Sequence, residues 1–139
     1  MNDFYKKWKN NHLVIEKWFE MMSTLNIGSQ GLNQIKYLLK HKDFDYKNPN
    51  KLRSVLSTFQ RENVLLFHAN DSSGYKFISE QVAIIDKKNP QAAARLVLPL
   101  TRFKNYSFER KNKIKSVLKS INKPYISSDL SEIIEKSLI

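Results

Sequence analysis

The sequence has no cysteine and little of the two residues that turn a chain most sharply. Its 139 residues include three glycines and four prolines. Disulfide bonds, thiolate zinc sites and cysteine nucleophiles are therefore excluded. The scarcity of glycine and proline argues against a β-sandwich or barrel, since both need many tight turns. A helical protein is favoured, and the missing cysteine is compatible with a reducing cytoplasm.

Long hydrophobic runs are also missing from the chain. No apolar stretch reaches the roughly 18 residues that a membrane-spanning helix needs, and the first residues mix Asp3 and several lysines with aromatics. Such a start does not resemble a signal peptide. We therefore expect no membrane segment, no export signal and a cytoplasmic protein.

Positive charge is in excess, with 24 Lys and Arg against 13 Asp and Glu and a formal net charge of +11. Such a charge could attract nucleic acid or an anionic membrane surface. It could equally reflect a general bias towards Lys, Asn and Ile, whose codons are AT-rich. The second interpretation is favoured, so nucleic acid is not expected as a partner.

Apolar side chains recur at three- and four-residue spacing along almost the whole chain, as on helices with one buried face. Asn48-Pro49 and Asn89-Pro90 each place a capping residue before a proline that suits a first helical turn. Pro99 lies inside a predicted helix and should kink it. The pattern predicts helices over residues 1–10, 13–25, 32–42, 49–59, 75–88, 90–103, 107–121 and 128–138, and a short helical turn over residues 64–68.

No sequence motif for catalysis or metal binding is visible. The chain has no H-E-x-x-H, no G-x-S-x-G and no glycine-rich phosphate loop. His12 precedes Glu16 by one helical turn, but one His and one Glu make a weak metal site, and a polar cap next to Trp8 is the alternative. We therefore predict neither a catalytic residue nor a metal ligand in this chain.

His68, Asp71 and Ser72 lie close together in sequence, which suggests a catalytic triad. Proximity in sequence does not supply the hydrogen-bonded geometry that a nucleophile and its base require. Helix capping by Asp71 or Ser72 is the favoured interpretation.

Cations are concentrated between Arg102 and Lys119, where Glu109 is the single acid. The stretch could form a polyanion-binding face, but a solvated charged face is favoured.

Arg53 and Arg95 differ from the cations of this stretch, because each lies among apolar neighbours on a predicted helix. Arginine suits planar pairing, so each either forms a structural pair with an acid or a helix-end carbonyl or points into a shared cavity.

Four blocks of the sequence, in order, resemble the C-terminal domain of bacterial aminopeptidase N, the alanyl aminopeptidase family of zinc metallopeptidases. The resemblance covers nearly the whole chain. The blocks read FYKKWKNNHLVIEKWF, NPNKLRSVLSTF, FHANDSSGYKFISE and NPQAAARLVLPLTRFK.

This resemblance implies a zinc-dependent exopeptidase that removes N-terminal residues from peptides. The zinc and its ligands are expected in a separate catalytic domain upstream, which would be this chain's partner. The family's C-terminal domain is a helical superhelix that closes over the active-site chamber and restricts which peptides reach the metal. By position in the second and fourth blocks, Arg53 and Arg95 are expected to face that chamber or its opening.

The chain departs from the family pattern at one turn, where Asp71-Ser72-Ser73-Gly74-Tyr75 replaces Asp-Gly-Ser-Gly-Tyr. A glycine that could take a positive φ is lost there.

Taken together, residues 1–139 are predicted to form one all-α domain. It would be a right-handed superhelix or an irregular stack of about seven to eight antiparallel helices, with helix pairs of the HEAT or armadillo kind. A freestanding basic helical module that binds protein or nucleic acid is the alternative.

Overall fold

A computed structural model describes residues 11–24 and 31–138, apart from the side chain of His12. All regular structure in these residues is helical, which confirms the all-α prediction. The helix predicted over residues 1–10 lies outside the described residues. The chain divides into two compact units, Met1–Leu66 and Phe67–Ile139. The prediction of a single domain over residues 1–139 stays a prediction.

The first unit contains two separate helices and then a nearly continuous helical run. In chain order the elements are α1 (His12–Thr24), α2 (Gly31–Leu39), α3 (Pro49–Leu52), a π-helical segment (Arg53–Ser57) and α4 (Thr58–Glu62). The short α5 (Val64–Phe67) follows at the boundary with the second unit. The second helix ends at Leu39, slightly before the predicted end near His41.

The second unit contains four longer helices. They are α6 (Ser73–Asp86), α7 (Pro90–Thr101), α8 (Phe108–Ile121) and α9 (Ser128–Leu138). With Pro49 to Glu62 taken as one run, the described residues hold eight helical stretches, within the predicted range. Pro99 does lie inside α7, and the kink expected there stays a prediction.

The core of the first unit forms around α1, which packs against α2, α4 and the π-helical segment. Phe19 on α1, Ile35 on α2, and Val55 and Phe59 on the helical run are completely buried. Each is one position of the apolar stripe that the sequence predicts. Burial of such side chains stabilises the unit by roughly 1.5–3 kcal/mol each.

The core of the second unit forms around α7, which packs against α6 and α9 and also contacts α8. Ala93 and Ala94 are buried beside Val97 and Leu100 on this helix. Because alanine side chains are small, neighbouring helices can approach α7 closely on more than one side. The helix is therefore the centre of this unit.

Two helices begin at the Asn-Pro pairs where the sequence predicts a capping residue. The Asn48 side chain accepts hydrogen bonds from the backbone N–H groups of Asn50 and Lys51, at 2.9 and 3.4 Å. The Asn89 side chain accepts one from Ala92 N–H at 3.1 Å. Both Asn-Pro starts are therefore confirmed as N-caps.

A buried carboxylate fastens the last helix to the end of α6. One oxygen of Asp86 accepts a hydrogen bond from the backbone N–H of Ser127 at 2.8 Å, and the other accepts one from the Ser127 hydroxyl. The same hydroxyl oxygen accepts from Leu130 N–H at 3.3 Å and caps α9. Asp86 thereby satisfies a charge that would be costly to bury alone.

The turn before α6 has an unusual backbone at the position where the resembling family has glycine. Ser72 has φ 64° and ψ 13°, and it is the one non-glycine residue with positive φ in the described residues. A left-handed conformation costs a residue with a β-carbon roughly 1–2 kcal/mol. Ser72 therefore adopts, at this steric cost, a conformation that glycine adopts freely.

We predict that Ser72→Gly stabilises the protein, because glycine adopts this conformation without the steric cost. The gain should be about 0.5–1 kcal/mol, since the greater freedom of glycine in the unfolded chain offsets part of it. Urea unfolding of the purified variant measures it. Ser73→Gly is the matched control and should be neutral or destabilising; equal effects of the two substitutions would contradict the strain argument.

Candidate functional site

Arg53 opens the π-helical segment and is exposed. Its guanidinium donates a hydrogen bond to the side-chain oxygen of Asn50, one turn earlier. The carbonyl of Arg53 accepts two hydrogen bonds from Thr58, one from the hydroxyl at 3.2 Å and one from the backbone N–H. Short π-helical turns of this kind are frequent at functional sites.

Arg95 lies on the central helix α7 and is exposed, although Ala94 and Leu96 on either side are buried. Neither Arg53 nor Arg95 forms an ion pair with a carboxylate in the part of the chain that the structure describes. The interpretation that each arginine forms a structural ion pair with an acid therefore has no support among these residues. Arg53 belongs to the first unit and Arg95 to the second.

His68 belongs to a polar cluster that sequence spacing does not reveal. Arg110 on α8 donates hydrogen bonds to the His68 carbonyl at 2.9 Å and to the Tyr75 hydroxyl at 2.7 Å. The Tyr75 hydroxyl is also hydrogen-bonded to Nδ1 of His68. Burial, and then the nearby Arg110 charge, lower the pKa of His68 below its ordinary value of 6.5. Burial raises the pKa of Tyr75 above 10.0.

The triad interpretation of His68, Asp71 and Ser72 has no support in this geometry. The Asp71 carboxylate accepts a hydrogen bond from Ser73 N–H at 2.9 Å, at the start of α6. Hydrogen bonds from Ser73 lower the pKa of this exposed carboxyl group. The capping interpretation is therefore confirmed for Asp71, whereas the Ser72 side chain does not cap the helix.

Within the described ranges, no three or more His, Asp or Glu side chains lie together as a metal site would need. The predicted weak site of His12 and Glu16 includes a side chain, that of His12, which lies outside those ranges.

The ring of His41 packs against the rings of Trp18 and Phe19, each about 5.5 Å away between centroids. Burial lowers the pKa of His41, and the Asp43 carboxylate opposes this shift.

The basic stretch from Arg102 to Lys119 is partly used inside the second unit. Arg110 binds His68 and Tyr75, as above, and Lys113 donates to the carbonyl of Asn70 at 2.7 Å. The Lys115 ammonium lies 5.8 Å from the centre of the Phe103 ring. These three cations are thus tied to their own chain. A continuous polyanion-binding face is not favoured.

A buried lysine is another feature that the sequence does not reveal. Lys51 is almost completely buried, and its ammonium lies 5.5 Å from the centre of the Phe19 ring. Among the described residues this ammonium has no hydrogen-bond acceptor. The attraction between the cation and the ring offsets part of the cost of burial. The apolar neighbours Leu52, Val55 and Leu56 were the only signal that this segment is buried.

Comparison with known proteins places the chain in a family. Residues 1–139 match the family described as "Domain of unknown function (DUF3458_C) ARM repeats". The chain belongs to this family. Armadillo repeats are stacked helices, in agreement with the helical elements described above.

The ARM-repeat domain is also similar to part of several longer proteins. It is 37% identical over 139 residues to aminopeptidase N of Escherichia coli strain K12, covering 99% of this chain and 16% of that protein. Its identity to aminopeptidase N of Haemophilus influenzae is 37% over 137 residues, covering 98% and 16%. A crystal structure of Legionella pneumophila aminopeptidase A in complex with aspartic acid matches with a TM-score of 0.91 and 32% identity.

The ARM-repeat domain spans about a sixth of the length of the relatives it matches, because it covers 16% of each of these proteins. It is homologous to the C-terminal part of aminopeptidase N, and the resemblance given by its sequence blocks is confirmed. No helix in the described part of the domain has the length and apolar character needed to cross a membrane.

Proposed function

We propose that this ARM-repeat domain closes the active-site chamber of a zinc-dependent aminopeptidase and controls which peptides reach the metal. The observation that carries the proposal is homology across 99% of the chain to one sixth of aminopeptidase N. A segment that small, built of stacked helices, can supply a wall while another domain supplies the chemistry.

The zinc of such an enzyme does not fit the residues described here. A catalytic zinc needs three protein ligands, usually His with Glu, Asp or Cys. No such group is found where the structure describes the chain, and cysteine is absent from the sequence. We therefore assign the zinc and the bond cleavage to an upstream catalytic domain, which is the proposed partner.

Arg53 and Arg95 are the residues through which the domain would contact peptides. Both arginines are exposed although their immediate sequence neighbours are buried, and neither is neutralised by a carboxylate in the described residues. Each can therefore offer donors to a carboxylate or carbonyl of a peptide. In a closed chamber they would hold the part of a peptide that lies beyond the cleaved bond.

The purified chain is expected to show no peptidase activity. We predict that it does not release the chromophore of an alanyl chromogenic peptide, with or without added zinc, because its sequence has no H-E-x-x-H motif and its described residues bring no zinc ligands together. A full-length aminopeptidase N is the positive control. Zinc-dependent cleavage by the purified chain would overturn the proposed division of labour.

The two arginines are expected to act on long substrates in the complete enzyme, where this chain follows an H-E-x-x-H-bearing domain. We predict that Arg53→Ala and Arg95→Ala each lower kcat/KM for a longer peptide by about tenfold, the effect of losing a charge-assisted hydrogen bond. For a single-residue chromogenic substrate the change should stay within about twofold.

Lys47→Ala and Arg102→Ala are the matched controls, because both cations are exposed and lie in the first and second unit respectively. They should leave both substrates unaffected. Equal losses on long and short substrates for the Arg53 and Arg95 variants would show a general structural effect and contradict contact with the peptide.

A further inference from the structure

The loop between α5 and α6 and the first turn of α6 are held to α8 by three hydrogen bonds from cationic side chains. Arg110 donates to the His68 carbonyl and to the Tyr75 hydroxyl, and Lys113 donates to the Asn70 carbonyl. These partners are 35 to 43 residues apart in sequence. The loop also contains the strained Ser72, so the polar contacts hold a segment whose backbone alone would not favour this conformation.

The hydrogen bonds of this cluster are all satisfied when the His68 ring is neutral. A guanidinium group only donates, so the Tyr75 hydroxyl accepts from Arg110. Its single hydrogen is then available to donate to Nδ1 of His68. An Nδ1 that accepts this hydrogen belongs to the neutral ring with its proton on Nε2.

Protonation of His68 would disrupt this arrangement of hydrogen bonds. The imidazolium has no lone pair at Nδ1 to accept the Tyr75 hydrogen, and a second positive charge would stand beside the guanidinium of Arg110. Tyr75, Tyr106 and Arg110 are the titratable or charged side chains that face the His68 ring. In the described residues His68 has no ion pair with a carboxylate, since Asp71 is bonded to Ser73 and Glu109 to Lys113.

We propose that His68, Tyr75 and Arg110 form a proton-sensitive latch, which holds the loop from His68 to Ser72 against α8 only while His68 is neutral. On acidification the ring leaves the Tyr75 hydroxyl, the loop loosens, and the start of α6 loses its anchor. The latch is a property of this chain and does not depend on the proposed aminopeptidase role.

The sign of the pH effect follows from the lowered pKa of His68 in the folded state. The released ring, with its ordinary pKa of 6.5, binds a proton more readily than the latched ring. The latch is therefore fully stabilising above that pH and is lost as the pH falls through the lower folded-state pKa.

Hydrogen exchange of the complete chain tests the latch. Amides of residues 68–76 should lose roughly tenfold protection between about pH 7.5 and about pH 5, after correction for intrinsic rates. His68→Asn should abolish this change, because Oδ1 of asparagine corresponds to Nδ1 of the imidazole ring and accepts from Tyr75 at both pH values. His41→Asn, at a second partly buried histidine, should leave the change intact. The same loss of protection in His68→Asn as in the unchanged chain would overturn the proposal.

A second measurement compares the unchanged chain with Tyr75→Phe. The ¹⁵N and ¹H resonances of the His68 ring should show an Nε2-protonated neutral tautomer and a pKa below 6.5. In Tyr75→Phe the pKa of His68 should rise, since the donor that favours the neutral ring is removed. An Nδ1-protonated tautomer, or a His68 pKa at or above 6.5 in the unchanged chain, would refute the latch.

Discussion

The second unit depends on the close burial of α7, a helix that is apolar on more than one side. Ala93, Ala94, Val97 and Leu100 are all buried there, and α6 and α9 pack against the helix. The small side chains of Ala93 and Ala94 let neighbouring helices approach, and the apolar stripes of α6 and α9 are covered by α7. Polar residues on α7 are consequently confined to its ends and to the narrow exposed face that carries Arg95. The position of the Arg95 guanidinium is therefore determined by the packing of the buried side of α7.

Polar contacts fix the connections that apolar packing leaves undetermined. Asp86 binds both the backbone and the hydroxyl of Ser127, so the start of α9 is tied to the end of α6. Arg110 does the same for the loop after α5. In the first unit, the buried Asn63 side chain donates to the Ser23 carbonyl at 3.1 Å and joins the ends of α4 and α1. Each contact satisfies groups that would be costly to leave unpaired in the interior.

Sequence patterns predicted the features that depend on neighbouring residues. The apolar periods and the Asn48 and Asn89 caps involve groups within four residues of one another, so the helices and their starts could be read directly. The π-helical turn at Arg53 could not be read, because it depends on how the run from Pro49 to Glu62 packs on α1. The Arg110 cluster was missed for the same reason, since its partners are 35 and 42 residues away. A basic stretch was visible, but not that Lys113 and Lys115 turn to their own chain.

The proposed function joins these features, because helices with exposed guanidinium groups can line a chamber without taking part in bond cleavage. Its central claim concerns where Arg53 and Arg95 point in the proposed complete enzyme. An experimental structure of that enzyme tests it most directly. The proposal predicts that both side chains face the chamber or its opening, on the side of the catalytic domain. If both side chains were turned to bulk solvent on the outer surface, the claim would be contradicted.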